Sequence, residues 1–152
     1  MSGLRVLDLY AGTGALGIEA LSRGASHATF VDSDRHAVAC VRENLSSLGL
    51  EARSDVLPLR VAAARKSLSK QEPFDLVLCD PPWSEAESAA LELARLVDQG
   101  GLAAEGRVVL EHSARSARFE PAGLFAYDLR VWGDTATTLL MRTLANTGGA
   151  PL

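Results

Sequence analysis

The feature that most constrains this chain is a glycine run, Gly12-x-Gly14-x-x-Gly17, set directly after an apolar stretch and directly before a helix-forming one. Residues 4–9 read as a short buried strand and residues 15–23 as a helix that Gly24 stops with a left-handed cap. Glycine at 12 and 14 lets backbone approach a ligand where a side chain would block it, and glycine at 17 lets the helix pack close to the strand. The helix start then offers unpaired N–H groups to an acceptor. A second apolar strand over residues 28–31 ends at Asp32, about 20 residues past the loop, where an acidic side chain hydrogen-bonds a ribose in such folds.

Strand and helix keep alternating, which implies a parallel sheet with helices on both faces. Ser33 or Asp34 caps the next helix, whose Val38, Val41, Leu45 and Leu48 fall on one face before Gly49 ends it. Residues 52–54 read as a short third strand ending at Asp55-Val56, followed by a helix over residues 58–70. Residues 74–79 are a continuous apolar run, as expected of a buried central strand. Ser84-x-x-Glu87 then forms a capping box for a helix that runs to Gln99 and stops at Gly100-Gly101. A fifth strand covers residues 107–111. Residues 124–132 and 137–141, separated by Gly133-Asp134, make an antiparallel hairpin on the sheet edge. The expected architecture is α/β and Rossmann-like: a mostly parallel seven-stranded sheet in one domain over residues 1–145, with a fraying tail at 146–152.

Composition excludes some classes. The chain is 47% hydrophobic and 22% charged, and no apolar run approaches the roughly 18 residues a bilayer span needs. The N-terminus lacks a signal-peptide pattern, so a cytoplasmic location is expected. Cys40 and Cys79 read as inert core thiols, and no ligand spacing suggests a metal. The net charge is −4. Arg60, Arg65, Lys66 and Lys70 form one local basic cluster, with Arg115 and Arg118 a second, and such runs are most often solvated faces. A monomer is the plain expectation.

Taken alone, the glycine loop and Asp32 also suit a dinucleotide. Two features turn the reading toward a methyl donor. Asp8, inside the first strand, would repel a pyrophosphate but welcome the cationic methionine end of S-adenosylmethionine. Asp80-Pro81-Pro82-Trp83, after the central strand, has no role in hydride transfer. Two prolines fix φ and remove two N–H groups, leaving carbonyls free to face a cleft. The Asp80 carboxylate and the Pro81 carbonyl can then accept the two hydrogens of an exocyclic NH₂, turning the nitrogen lone pair toward the methyl carbon. Trp83 offers a face for a flipped-out base. Positioning supplies most of the rate, and Asp80 can take the proton. The same segment is compatible with a rigid turn in which Trp83 covers the core. His112 could face the cleft, although a lone histidine is more often structural; His27 and His36 read as surface residues.

At these residues the chain resembles the class I S-adenosylmethionine-dependent methyltransferases. More narrowly, it is similar to bacterial 16S rRNA guanine-N2 methyltransferases of the RsmD type, over about residues 6–141. The likeness is carried by Leu7-Asp-Leu-Tyr-Ala-Gly-Thr-Gly-Ala-Leu-Gly-Ile-Glu-Ala-Leu-Ser-Arg-Gly24, Phe30-Val-Asp-Ser-Asp-Arg35, residues 74–83 and Gly133-Asp-Thr-Ala136. The resemblance implies S-adenosyl-L-methionine as cofactor, with Asp8, Ala11, Gly12 and Gly14 around its methionine end and Tyr10 and Thr13 in the same loop. It implies Asp32, with Ser33 beside it, at the ribose hydroxyls, and Asp55 with Val56 at the adenine. Asp80, Pro81, Pro82 and Trp83 would hold the guanine of 16S rRNA or of the small ribosomal subunit. Trp83 stands where Tyr or Phe is common. Family members usually carry a basic segment ahead of the first strand, which here begins three residues into the chain. Other readings are methylation of another planar amide or amine, such as a protein glutamine, or a domain that binds cofactor or RNA without turnover. A dehydrogenase would need a substrate region for which the chain has no length.

Overall fold

A computed structural model describes residues 2–116 and 118–143, so the expected fraying at 146–152 lies outside the described residues. In β1 (Arg5–Leu9), alternate side chains leave on opposite faces. Leu7 and Leu9 join one buried cluster and Val6 another, so both faces must be covered. The cluster around Val6, Phe30, Val41 and Leu45 lies under α1 (Ala15–Ser22) and α2 (Arg35–Ser47). The cluster around Leu7, Val77, Leu93 and Leu110 lies under α3 (Val61–Leu68) and α4 (Ala86–Asp98).

The sheet has seven strands in the order β3-β2-β1-β4-β5-β7-β6. Around β1, the strands β2 (His27–Val31), β3 (Ser54–Leu57), β4 (Phe74–Cys79) and β5 (Leu102–Ser113) run parallel. Strand β7 (Thr135–Arg142) is antiparallel to β5 and to the edge strand β6 (Leu124–Trp132). The chain leaves β1 toward β2 and β3, then returns to place β4 on the other side of β1. This reversal opens a crevice at the carboxyl ends of β1 and β4.

Several boundaries differ from the sequence expectation, each for a local reason. Residues Glu51–Arg53 form a 3-10 turn and the third strand is Ser54–Leu57. Leu57 precedes a proline, which favours extended backbone, so pairing persists to Leu57 and α3 starts only at Val61. The Ser84–Glu87 capping box does not form. Pro82 leads into a 3-10 turn at Trp83–Glu85, which makes Glu85 the N-cap and leaves Ser84 one position early. Asp34, not Ser33, caps α2 by accepting the Ala37 N–H at 2.8 Å. Leu48 is 58% exposed and leaves the apolar stripe, while Leu50 is buried in its place. Strand β5 begins at Leu102, with a register shift opposite residues 74–76 that takes up residues 103–106.

Gly17 shows how tightly α1 is set on the sheet. A Cβ there would overlap the Phe30 ring and reach 3.0 Å from the Asp8 carboxylate. Gly17→Ala is expected to lower stability by about 1–3 kcal/mol through this overpacking, read as a lower urea midpoint with an unchanged slope.

Candidate active site

The residues just past the paired strand ends form one row across the crevice. Leu9 pairs with Val31 and Cys79, and Cys79 with Leu110. One position further along, the row reads Asp32, Tyr10, Asp80, Glu111. Tyr10 turns the chain out of β1 with φ 59°, the one left-handed non-glycine among the described residues. An L side chain in that region costs roughly 1–2 kcal/mol, so the loop that follows must hold it there.

Backbone and carboxylates do so together. The Ala11 N–H donates to the Val31 carbonyl at 3.1 Å, and the Gly14 N–H to the Ala11 carbonyl at 2.8 Å. Asp32 accepts the Gly12 N–H on one oxygen (2.9 Å) and the Asp34 N–H on the other (2.8 Å). A carboxylate has about four lone-pair sites, so each oxygen keeps capacity for one more donor, the demand of a vicinal diol. Gly12 has φ 57° and nothing within 4 Å of where a Cβ would stand. Its backbone faces open space.

That space is a cavity of about 750 Å³. Tyr10, Gly12, Asp32 and Ser33 line one side, residues 59–62 a second and residues 80–83 a third, with Glu85, Ser88 and Glu92 of the α4 region behind. The volume lies in the usual range for small-molecule sites. Pro81 is buried and anchors the motif, while Trp83 is 52% exposed and therefore not a cover for the core. The Pro82 carbonyl is taken by the Glu85 N–H at 2.7 Å. Among the described residues no hydrogen bond engages the Pro81 carbonyl. Burial pushes the Asp80 carboxyl above the usual range. Tyr10 is pushed up to about 12, by burial first, so its hydroxyl remains a donor.

The structure therefore brings Tyr10, Gly12, Asp32, Ser33, Asp80, Pro81, Pro82 and Trp83 to one cavity and separates the other expected site residues from it. Asp8 is 1% exposed and lies beneath the loop, where it accepts the Gly17 N–H at 2.9 Å. It organises the loop from behind. Gly14 is the left-handed N-cap of α1, Ala11 packs on the α1/α2 cluster, and the Thr13 carbonyl accepts the Asn44 side-chain amide at 3.0 Å. Asp55 and Val56 need correction. Both lie within β3 rather than at its end, and Asp55 pairs with His27 at 3.0 Å, at the amino-terminal start of β2. The wall expected from them is supplied by Leu59, Arg60, Val61 and Ala62. The proline after β3 was the signal that the strand end, and with it the wall, lies further on.

His112 is buried, with its ring between the Thr138 hydroxyl (2.8 Å) and the Ser113 carbonyl (3.0 Å), and is structural. Cys79 is buried, and burial pushes its thiol up; Cys40 is half-buried. The first basic cluster divides: Arg60 lines the cavity, and Arg65 pairs with Glu92 at 3.5 Å. Arg115 pairs with Asp134 and Arg118 with Glu120. Among the described residues no group of three metal-type side chains occurs, and no helix is long and apolar enough to cross a membrane.

Comparison with known proteins decides the family. The family described as Conserved hypothetical protein 95 matches residues 1–141. Ribosomal RNA small subunit methyltransferase D of Escherichia coli K12 is 32% identical over 139 residues, covering 90% of this chain and 67% of that protein. The chain belongs to this RsmD-like class I methyltransferase family. YlbH of Bacillus subtilis, provisionally named an rRNA methyltransferase, is 40% identical over 111 residues, covering 72% of this chain. The match spans 60% of YlbH's own length. A conserved hypothetical protein of Streptococcus pyogenes superposes with a TM-score of 0.82 at 31% identity, over 94% of this chain and 88% of that one.

Asp8 generates a prediction within this RsmD-like site. Burial raises its carboxyl to about 7, with Asp80 and Asp32 adding to the rise against the lowering bond from Gly17. In the unfolded chain an aspartate titrates near 4. The folded state therefore holds the proton more tightly, and stability falls as pH rises from about 4 to 7, by up to about 4 kcal/mol from this group. Asp8→Asn should flatten that slope, measured by chemical denaturation across the interval.

Proposed function

We propose that this chain transfers a methyl group from S-adenosyl-L-methionine to the exocyclic N2 amino group of a guanine in 16S rRNA. The observation that supports the proposal is that Asp80-Pro81-Pro82-Trp83, the glycine loop at Gly12 and Asp32 all line one cavity. The residues fit the cofactor. Asp32 keeps capacity for two ribose hydroxyls, Gly12 leaves open space, and residues 59–62, which line the same cavity, would flank the adenine. The carboxylates of Asp32 and Asp80, with Glu85 and Glu92 behind them, make the lining electronegative, which suits a cation and opposes a pyrophosphate. When bound, the cofactor supplies an electrophilic methyl on a sulfonium. Asp80 and the Pro81 carbonyl hold the acceptor amine and align its lone pair. Trp83 stacks the base, and Asp80 or solvent takes the released proton. Orientation of this kind is worth several kcal/mol of barrier without a strong base.

The deciding experiment incubates the chain with radiolabelled cofactor and small ribosomal subunits from a strain lacking the enzyme, then separates RNA from protein. Label in 16S rRNA, recovered as N2-methylguanosine, is expected; label in protein, or in neither, overturns the proposal. Asp80→Ala should abolish transfer while cofactor affinity stays within a few-fold by calorimetry. Asp32→Ala should instead weaken cofactor binding by about 1–3 kcal/mol, the cost of hydrogen bonds to a charged group. Trp83→Ala should weaken the RNA acceptor by about 1–3 kcal/mol with little change in melting temperature, because the ring is half-exposed in the free protein.

A further inference from the structure

The row at the carboxyl edge of the sheet continues past Asp80. Because Cys79 pairs with Leu110, the residue beside Asp80 on the next strand is Glu111, which in turn pairs with Thr137 of β7. Val109 packs in the same cluster as Leu78, and side chains alternate along a strand, so Glu111 leaves the sheet on the side that Leu78 and Val109 share. Neighbouring strands lie about 4.8 Å apart, which is within reach of a glutamate side chain. Glu111 is half-buried, and no hydrogen bond engages its carboxylate among the described residues.

On the methyl-transfer reading, the order of this row has a meaning. On that reading the ribose is held at Asp32, just past β2, and the acceptor amine at Asp80, just past β4; Glu111 does not line the cavity itself but stands beside Asp80 at its β5 margin, so a ring lying on the side of Asp80 away from Asp32 would reach it. Guanine carries two adjacent donors on that edge, N1–H and N2–H₂. Adenine and cytosine carry an acceptor nitrogen next to their amino group, which a carboxylate would repel. We propose that Glu111 is the residue that selects guanine, its carboxylate accepting the N1–H while Asp80 holds the N2 amine. Burial and the nearby Asp80 charge push the Glu111 carboxyl upward, in keeping with two carboxylates side by side that gain from a shared pair of donors. A site built to bond a donor strongly rejects the analogue that lacks it.

The test replaces the guanine labelled in the transfer assay with 2-aminopurine, which keeps the amino group but presents an unprotonated N1. The wild-type chain should favour guanine by at least about tenfold, the scale of one hydrogen bond to a charged group. Glu111→Gln should lower kcat/KM on the guanine RNA by about 10- to 100-fold and bring the guanine-to-aminopurine ratio toward one, since its amide can accept from a protonated N1 or donate to an unprotonated one. Cofactor affinity by calorimetry should stay within about twofold, the size of effect expected away from the cofactor. A variant that keeps the wild-type ratio, or loses activity equally on both RNAs, overturns the assignment of Glu111. A wild-type chain that labels neither RNA overturns the methyl-transfer reading itself.

Discussion

The hydrogen bond from the Gly17 N–H to the buried Asp8 carboxylate fixes the relation of β1 to α1, and the loop depends on it. It places an acceptor at the positive end of a helix, where an unpaired amide would otherwise be buried. It also requires that residue 17 have no side chain, because the Phe30 ring and the Asp8 carboxylate fill the space. With β1, α1 and β2 clamped this way, the chain between them has little freedom. Tyr10 is held left-handed, and Gly12 is carried to Asp32, which closes the loop from the other side. Asp8 is thus a positioning residue behind the cavity wall, and its raised titration is the cost of burying that acceptor.

Much of this was legible because it follows from backbone requirements. Glycines where φ is positive or a Cβ has no room, an apolar run for the central strand and an acid one residue past the second strand each have one simple structural use. The places where sequence misled share a different cause. At residues 51–60, a 3-10 turn and a proline move β3 two residues along, and this displaced Asp55 and Val56 from the cavity wall. At Ser84, the two prolines imposed a turn that outcompeted a plausible cap. Local propensity was read correctly in both cases. What it could not show was how a neighbouring proline shifts the frame by one or two residues.

Position in the sheet, rather than sequence spacing, joins the parts of the site. Asp32 and Asp80 are 48 residues apart, yet pairing through β1 sets them two strands from each other at the same height. The same register made Glu111 visible, although its sequence context, an apolar strand followed by His112 and Ser113, carries no motif.

The electrostatics of the row constrain how a nucleic acid can approach. Asp32, Asp80, Glu85 and Glu92 line the crevice with negative charge and Glu111 stands beside Asp80; among the described residues only Glu92 of these is matched by arginines, Arg65 and Arg95. Such a field attracts a cation and repels phosphates, so on the proposed reading RNA would bring a base into the cavity with its backbone held at the rim. Arg60 lines the rim-side wall, and Lys66 and Lys70 are exposed on and just beyond α3. On the proposed reading, a base whose edge reaches Asp80 has left its stack, and the half-exposed Trp83 face would replace the lost stacking. Charge distribution and aromatic placement thus favour the same acceptor geometry: an extruded base, edge toward the carboxylates, backbone outside.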